Sequence, residues 1–546
     1  MSKIRINSIL IKNYRSFQNS GEIYFPNIKK PVSIVGSNNS GKSNILKAID
    51  IVSGRKFTTD TTFKECDFYQ QNIKNNIELI SEIKKNSEEI PSNVYGYINE
   101  TTDIIQANGG IYDKKDPIQC YFIEFDKIKD QLRIRGEYGA LTLFGKKIQE
   151  IKKDFSSTQF RDKKDKTTTR ARSFQDNLVP EISALLTNDN SVYNNFENGV
   201  KDALKSLMNN KNLNVALNNF DYSILFNNLE FQMRLGEKDN EFVIPIKNTG
   251  NGFVALFVIA MFQSLLKEEG NLFLINEPET YLHDNYQKHF YKLLCQLAEK
   301  NQVILATHSK NFVDIFEPRS IIKVENIGFS KSTIVQTEEV LDKEEIEVNL
   351  GKKLEFPQEY GLFVNSIEPN LNSIPFSSKV IICEGCHDKV GYSNVLDKYL
   401  QDENTSLALE NISIVAAVGK ATIGHLAKIC KFFNIPVFAI HDADLDEDCL
   451  FNNDLDEDSH KHLEYKNLGS NDRGQYTNNW NIYKAIEDEK FIHRNVRKIE
   501  TSLKIPDIEK SAFSVYEKVK DETWQSVMTK YPDFLPQKLL EFLGFK

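Results

Sequence analysis

Short apolar runs punctuate an otherwise polar chain, and their spacing predicts its elements. "PVSIV" at 31–35, "NLFLI" at 271–275 and "QVILA" at 302–306 read as short buried strands. A later group, "KVIIC" at 379–383, "ISIVAAV" at 412–418 and "VFAIHDAD" at 437–444, recurs at βαβ intervals. Between the last two, Ile423, Leu426, Cys430 and Phe433 fall at steps of three and four, the period of an amphipathic helix. The predicted class is α/β, with a parallel sheet wrapped by helices and its chemistry gathered at the carboxyl ends of strands. The longest apolar run, "FVALFVIAMF" at 253–262, is well short of the roughly 20 residues a membrane span needs.

Immediately after the first strand comes "GSNNSGKSN". Gly36, Ser37, Asn38, Asn39, Ser40, Gly41, Lys42 and Ser43 fit G-x-x-x-x-G-K-[ST] in the strand–loop–helix context that this phosphate cradle requires, with Asn44 opening the helix. The glycines let backbone N–H groups wrap phosphates at a helix N-terminus. Lys42 reaches the β and γ phosphates, and the Ser43 hydroxyl can ligate Mg²⁺. ATP is the expected cofactor.

The next two strands carry the complementary parts. One ends in Asn276-Glu277-Pro278-Glu279, the other in Thr307-His308-Ser309. The pair resembles the Walker B, D-loop and switch-histidine elements of ABC-type ATPases, including the structural-maintenance and RecF-like group. The opening "ILIKNYRSFQNSGEIYF" resembles their first strands, with Arg15 near the nucleotide. Asn248, Thr249, Gly250 and Gly252, opening an apolar helix, resemble the signature segment that meets the γ-phosphate bound by another subunit. The resemblance implies that Glu277 polarises the attacking water and that His308 contacts the γ-phosphate. It also exposes a departure: Asn276 stands where an acid helps to hold Mg²⁺, so slow hydrolysis is expected.

Composition bounds the remaining possibilities. With 546 residues, 40% of them hydrophobic, the chain can build two or three cores. The opening "MSKIRINSIL" lacks the order of an export signal, so the expectation is a soluble cytosolic protein whose seven scattered cysteines form no disulfide framework. A net charge of −9 gives no global pull toward nucleic acid, leaving DNA contact to local basic surface. One candidate is Lys163, Lys164, Lys166, Arg170 and Arg172, within a polar middle stretch whose apolar recurrences (Ile182, Leu185, Leu186; Val200, Leu204, Leu207) suggest amphipathic helices. A solvated loop is the competing reading of that basic run. The acidic, strand-poor "TEEVLDKEEIEVNLGKKLEF" reads as a connector.

"KVIICEGCHDKVGY" admits more than one chemistry. Cys383-x-x-Cys386-His387 has the spacing of haem attachment and of redox or zinc dithiols, while Glu384-Gly385 and Asp388 have that of a metal–carboxylate site. Thioether haem is out of place in a reducing compartment, and zinc would need a second Cys/His pair that the sequence does not offer. Asp442 and Asp444, two apart in an extended segment, share a face. Glu384 leaves the neighbouring strand beside them, and Asp388 opens a helix. Clustered carboxylates repel one another unless a hard cation, Mg²⁺ or Mn²⁺, fills them.

Strand-E-G-x-x-D, strand-Gly419 and strand-D-x-D together resemble the TOPRIM domain of topoisomerases, bacterial primases and certain nucleases. An ABC-type ATPase followed in one chain by TOPRIM resembles the OLD family of nucleases, which includes the Gabija-type anti-phage nucleases. The resemblance implies an ATPase domain at 1–84 and 226–335, a mainly helical, dimerising insertion at 85–225, a connector at 336–372 and a TOPRIM nuclease domain at 373–546. It implies Mg²⁺-dependent cutting of double-stranded DNA, regulated by ATP, in a homodimer or tetramer. An accessory helicase or a reverse transcriptase with its nucleic acid fits as a partner, and no membrane is involved. Two further family elements are placed at Glu500, a later acidic ligand, and Lys510, a catalytic lysine with Lys518 and Lys520 as rivals. A different class of function, an ATP-gated DNA clamp whose TOPRIM site is structural, stays open beside it. Primase or topoisomerase activity would need zinc-binding cysteines or a positioned tyrosine.

Overall fold

A computed structural model describes the chain from residue 4 to 544, apart from 133–191, 219–229, 236–241, 338–344, 446–457 and short pieces at 55–57, 60, 86–87, 100–103, 111–119, 209–213, 265, 267–268, 329–330, 349–351, 356–357, 471 and 496–497. It divides into two units, Met1–Phe312 with Val324–Ile334, and Val313–Lys323 with Val335–Lys546.

The first unit is organised by a six-stranded sheet. Its spatial order is Ser332–Val335, Ile321–Asn326, Val32–Val35, Gln302–Ala306, Leu272–Asn276, Cys120–Glu124. The last four run parallel, with Leu272 beside both Gln302 and Cys120. Every residue of Val32–Val35, Leu272–Asn276 and Gln302–Ala306 is buried, which explains their unbroken apolar runs. Against one face lies the helix Asn251–Ser264, where Val254 to Phe262 are all buried. A helix apolar all round is a core helix, and here it settles the reading of the longest apolar run. No described helix is long and apolar enough to cross a membrane.

A second, antiparallel sheet orders Phe17–Tyr24, Ile4–Tyr14, Ile77–Lys85, Glu88–Asn99 and Ile104–Gly109. Two expectations need correction here. Glu88–Asn99, Ile104–Gly109 and Cys120–Glu124, within the stretch assigned to a helical insertion, are strands of the two sheets. The many polar residues of Glu88–Asn99 mask a period of two: Ser92, Val94 and Gly96 face inward while the residues between them do not. Farther on, Val192–Met208 is a helix that buries Val200 and Leu204, but Asn214–Asn218, Glu230–Leu235 and Phe242–Pro245 form a three-stranded antiparallel sheet. Ile182, Leu185, Leu186 and the basic run from Lys163 to Arg172 lie outside the described residues.

In the second unit the supposed strand-poor connector holds a hairpin, Glu345–Val348 with Lys352–Glu355. "EIEV" alternates charged and apolar residues, a strand signal that its acidity concealed. Beyond it a four-stranded, wholly parallel sheet runs in the order Ile412–Ala416, Lys379–Cys383, Val437–Asp442, Ile492–Asn495. Chain order therefore reverses direction at Lys379–Cys383. That is the switch point at which open α/β sheets leave a crevice beyond the carboxyl ends of their strands.

Candidate functional site

Two constellations emerge, one in each unit. In the first, Gly36 (φ +154°) and Gly41 (φ +106°) shape the turn between Val32–Val35 and the helix Lys42–Val52. A Cβ on Gly36 would lie 2.2 Å from the Val324 carbonyl oxygen, and one on Gly41 would lie 2.5 Å from Ser16 Oγ. Only glycine fits either place. Asn38 and Asn39 form the exposed tip of this loop. Lys42 Nζ donates to the carbonyls of Gly36 (3.1 Å) and Ser37 (2.8 Å). Burial lowers its pKa to about 8, against the opposing pull of Glu277 and Glu279. Ser40 Oγ is buried without a hydrogen-bond partner, an orphan that a phosphate oxygen would satisfy. The cradle thus fits a nucleotide.

Ser43 Oγ donates to Asn276 Oδ1 at 2.7 Å, so the amide occupies the position of the expected acid while bringing no charge to an ion. Glu277 leaves its strand at φ +52°, held by its N–H donating to Ala306 O at 2.8 Å. Glu279 is half-buried, accepting from the Thr307 hydroxyl at 2.7 Å and the His308 N–H at 2.6 Å; desolvation raises its pKa. Desolvation, then Lys42, pushes the His308 imidazole down to about 4, so it is neutral at physiological pH. Asn248 closes a short 3₁₀ turn, Thr249 Oγ1 donates back to Ile246 O at 2.6 Å, and a Cβ on Gly250 would meet open space. On Gly252 it would make ordinary contact with Tyr281 O at 3.5 Å. Arg15 is held by Asp67 (2.8 Å) and by Asn44 Oδ1 (3.2 Å). It lines a cleft of about 1120 Å³ with Ser16, Asn39, Gln70 and Gln71.

In the second unit, Glu384 follows the strand Lys379–Cys383, and its Oε2 accepts the Asp442 N–H at 3.0 Å. Asp388 sits in the first turn of the helix Cys386–Asp402, where Oδ2 accepts the Gly385 N–H at 3.0 Å. Asn495, ending the fourth strand, reaches Asp388 Oδ1 (3.3 Å) and Asp442 Oδ1 (3.2 Å) with a single Nδ2. Asp442 Oδ1 also accepts the Ile499 N–H at 3.0 Å. Glu500, next in sequence, is 5% exposed and bonds His387 Nδ1 at 2.8 Å. Asp444, in a left-handed conformation (φ +56°), accepts from Lys420 Nζ at 2.8 Å.

Crowding shows in the electrostatics. Desolvation and then Glu384 raise Asp442 to about 7. Desolvation and then Asp442 push Asp388 well above the usual carboxylate range. Desolvation raises Glu384, with Lys420 opposing. A set of oxygen donors that repel one another is what a hard divalent cation would relieve. As arranged, each carboxylate turns to a protein donor, and no three His, Cys, Asp or Glu among the described residues are disposed around one ion position.

Cys383 is buried, its thiol pushed well up by desolvation, and Cys386 is exposed; both are free. Lys510 follows the short turn Asp507–Glu509, Lys520 pairs with Glu517 at 2.7 Å, and Lys518 lies over the Tyr531 ring. The lysine ion-paired inside the cluster is instead Lys420, and the amide that joins two of its acids is Asn495. Sequence reasoning singled out neither. Lys420 directly follows the noted Gly419, which was an available signal; the four-residue strand bearing Asn495 offers none.

Comparison with known proteins agrees with both halves. Residues 32–314 match the family described as "AAA domain, putative AbiEii toxin, Type IV TA system". Residues 376–444 match "Overcoming lysogenization defect protein-like, TOPRIM domain". An OLD nuclease of Thermus scotoductus is 24% identical over 499 residues, covering 85% of this chain and 86% of that protein. The Old nuclease of Escherichia phage P2 is 22% identical over 81% of this chain and 77% of its own length. An ATP/GTP phosphatase of Helicobacter pylori is 23% identical over 57% of this chain and 87% of its own. The chain thus belongs to the AAA family of the AbiEii-toxin description, carries an OLD-like TOPRIM domain behind that ATPase domain, and is similar over most of its length to proteins named OLD nuclease.

Proposed function

We propose that this protein is a divalent-metal-dependent endonuclease that nicks or cleaves double-stranded DNA under nucleotide control, acting as an anti-phage effector. The observation that carries the reading is the gathering of Asp388 and Asp442 about Asn495, with Glu384 on the Asp442 N–H, at the switch point of a parallel sheet. The relatives named OLD nuclease support it.

Glu384 and Asp442 are proposed to hold one Mg²⁺ or Mn²⁺ ion, and Asp444, Asp388 and Glu500 a second. Such ions supply an activated water and a counter-charge for the leaving oxygen. Around them the chain fixes geometry. Asn495 and the Ile499 N–H orient Asp442, the capping bond orients Asp388, and His387 orients Glu500. Lys510 is proposed to neutralise charge developing on the phosphate.

In the first unit ATP is proposed to lie on Gly36–Asn44, with Ser43 toward Mg²⁺, Glu277 toward the attacking water and His308 at the γ-phosphate. Asn248, Thr249, Gly250 and Gly252 would meet the phosphate of a second copy, making the working unit a homodimer or tetramer. With Asn276 facing Ser43, the domain senses nucleotide more than it turns it over. A helicase or a reverse transcriptase is a fitting accessory partner. A second reading, an ATP-gated DNA clamp with a non-catalytic TOPRIM domain, is favoured by one observation, that every acid of the cluster already has a protein partner. Scission of supercoiled plasmid by wild type and Lys42→Ala, with and without ATP, separates the two. Cutting that responds to nucleotide in wild type alone supports the nuclease, and ATP-dependent DNA binding without cutting supports the clamp.

A further inference from the structure

Within the carboxylate cluster, Lys420 is a charged side chain to which the proposed reaction assigns no role. Its side chain is 4% exposed, at the start of the helix Lys420–Phe432, directly after Gly419 (φ +126°). The Gly419 N–H donates to Glu384 O at 3.0 Å, which fixes this helix start against the strand that delivers Glu384. Nζ donates to Asp444 Oδ2 at 2.8 Å and to Gln475 Oε1 at 3.2 Å. Its charge also opposes the upward shifts of Glu384 and Asp442. A buried ammonium pointed into a group of acids does what a metal ion does there, supplying positive charge to carboxylates that repel one another. It does so at the acid proposed for the second ion.

We propose that Lys420 is a positioning residue that serves as an intramolecular cation at the Asp444 end of the carboxylate site, holding Asp444 in the metal-free protein and competing with the second divalent ion for it. This rests on the metal-site reading above. Asp444 cannot satisfy both partners at full strength, because a carboxylate oxygen that accepts from an ammonium at 2.8 Å is screened from a cation on the same side. The Lys420–Asp444 pair therefore sets how much free metal is needed to complete the site, making the second ion the weaker one. It also explains how the cluster stays folded when metal is scarce.

The test measures binding of Mn²⁺ alone to nucleotide-free, full-length protein, by the free-Mn²⁺ paramagnetic resonance signal, together with melting in chelator. Lys420→Met keeps the stem and removes the charge; Lys420→Arg keeps the charge. The expected result is that Lys420→Met binds its weaker Mn²⁺ about tenfold more tightly, the order of one partly buried charge contact. The same variant melts lower than wild type in chelator and recovers in Mn²⁺. Lys420→Arg stays near wild type. If folded Lys420→Met binds Mn²⁺ as wild type does, or more weakly, the inference is overturned. Should Lys420→Met not fold in chelator, Lys420→Gln in an Asp444→Asn background replaces it; the inference predicts that Lys420→Gln changes Mn²⁺ affinity little there, and a tenfold change overturns it. If wild type and Asp442→Ala bind Mn²⁺ equally, the metal-site reading itself fails, a result separate from the failure of the Lys420 assignment.

Discussion

Glu279 accepts the His308 backbone N–H at 2.6 Å and, through its other oxygen, the Thr307 hydroxyl at 2.7 Å. These bonds tie the end of the strand that presents Glu277 to the segment that presents His308. Hydrogen bonds to a charged group are among the stronger ones, worth about 1.5–3 kcal/mol. Glu279→Gln should therefore uncouple the two segments, lowering the rate constant of nucleotide hydrolysis by about tenfold or more while leaving nucleotide affinity near wild type. Single-turnover hydrolysis and equilibrium binding measured together check this, since a general loss of folding would depress both.

Asn276 predicts a gain of function. Asn276→Asp places a carboxylate against Ser43 Oγ, where it can hold a metal-bound water with charge. Steady-state hydrolysis should rise about tenfold, and the Mg²⁺ concentration needed for half-maximal rate should fall.

The signature glycine and the loop glycine should part company. Gly250→Glu introduces its side chain into open space at a helix start, where negative charge is tolerated, so melting should be unchanged. ATP-dependent self-association, read by light scattering, should be lost. Gly36→Ala drives a Cβ into a backbone oxygen at positive φ, so melting should fall clearly.

Much of this was legible because it is local. The P-loop is encoded by glycines whose backbone angles no other residue matches, and Asp388 by its place three residues after Gly385 in a helical first turn. Both constraints lie within a few residues. Asn495 was not legible, because its meaning is a bond to Asp388 and Asp442, 107 and 53 residues away, and its strand has too few apolar residues to announce itself. Lys420 pairs across 24 residues and reads alone as a solvated cation. The strand Glu88–Asn99 was missed because a sheet covered on one face needs only every second residue to be buried.

The raised Asp442 predicts a pH signature in the metal-free protein. Its folded pKa, about 7, lies above the usual carboxylate value, so between about pH 4 and 7 the native state binds the extra proton and stability from this group is lost as pH rises. Glu384 and Asp388, also raised, pull the same way and the buried histidines His441 and His493, shifted downward, the opposite way, so the observable is the difference from a variant, which reports Asp442 together with the acids coupled to it. Asp442→Asn should gain stability relative to wild type as pH climbs from about 4 to 7, with the gain levelling above, in urea melts with chelator present. A flat difference would contradict a raised pKa in the carboxylate set that contains Asp442.

The most direct measurement is strand scission of supercoiled plasmid in Mg²⁺ or Mn²⁺ by wild type, Asp442→Ala and Glu384→Gln, each verified as folded. Wild type should produce nicked or linear product and both variants should produce none. Equal cutting by the variants, or no cutting by wild type in any metal with or without ATP, would contradict a nuclease centred on these carboxylates.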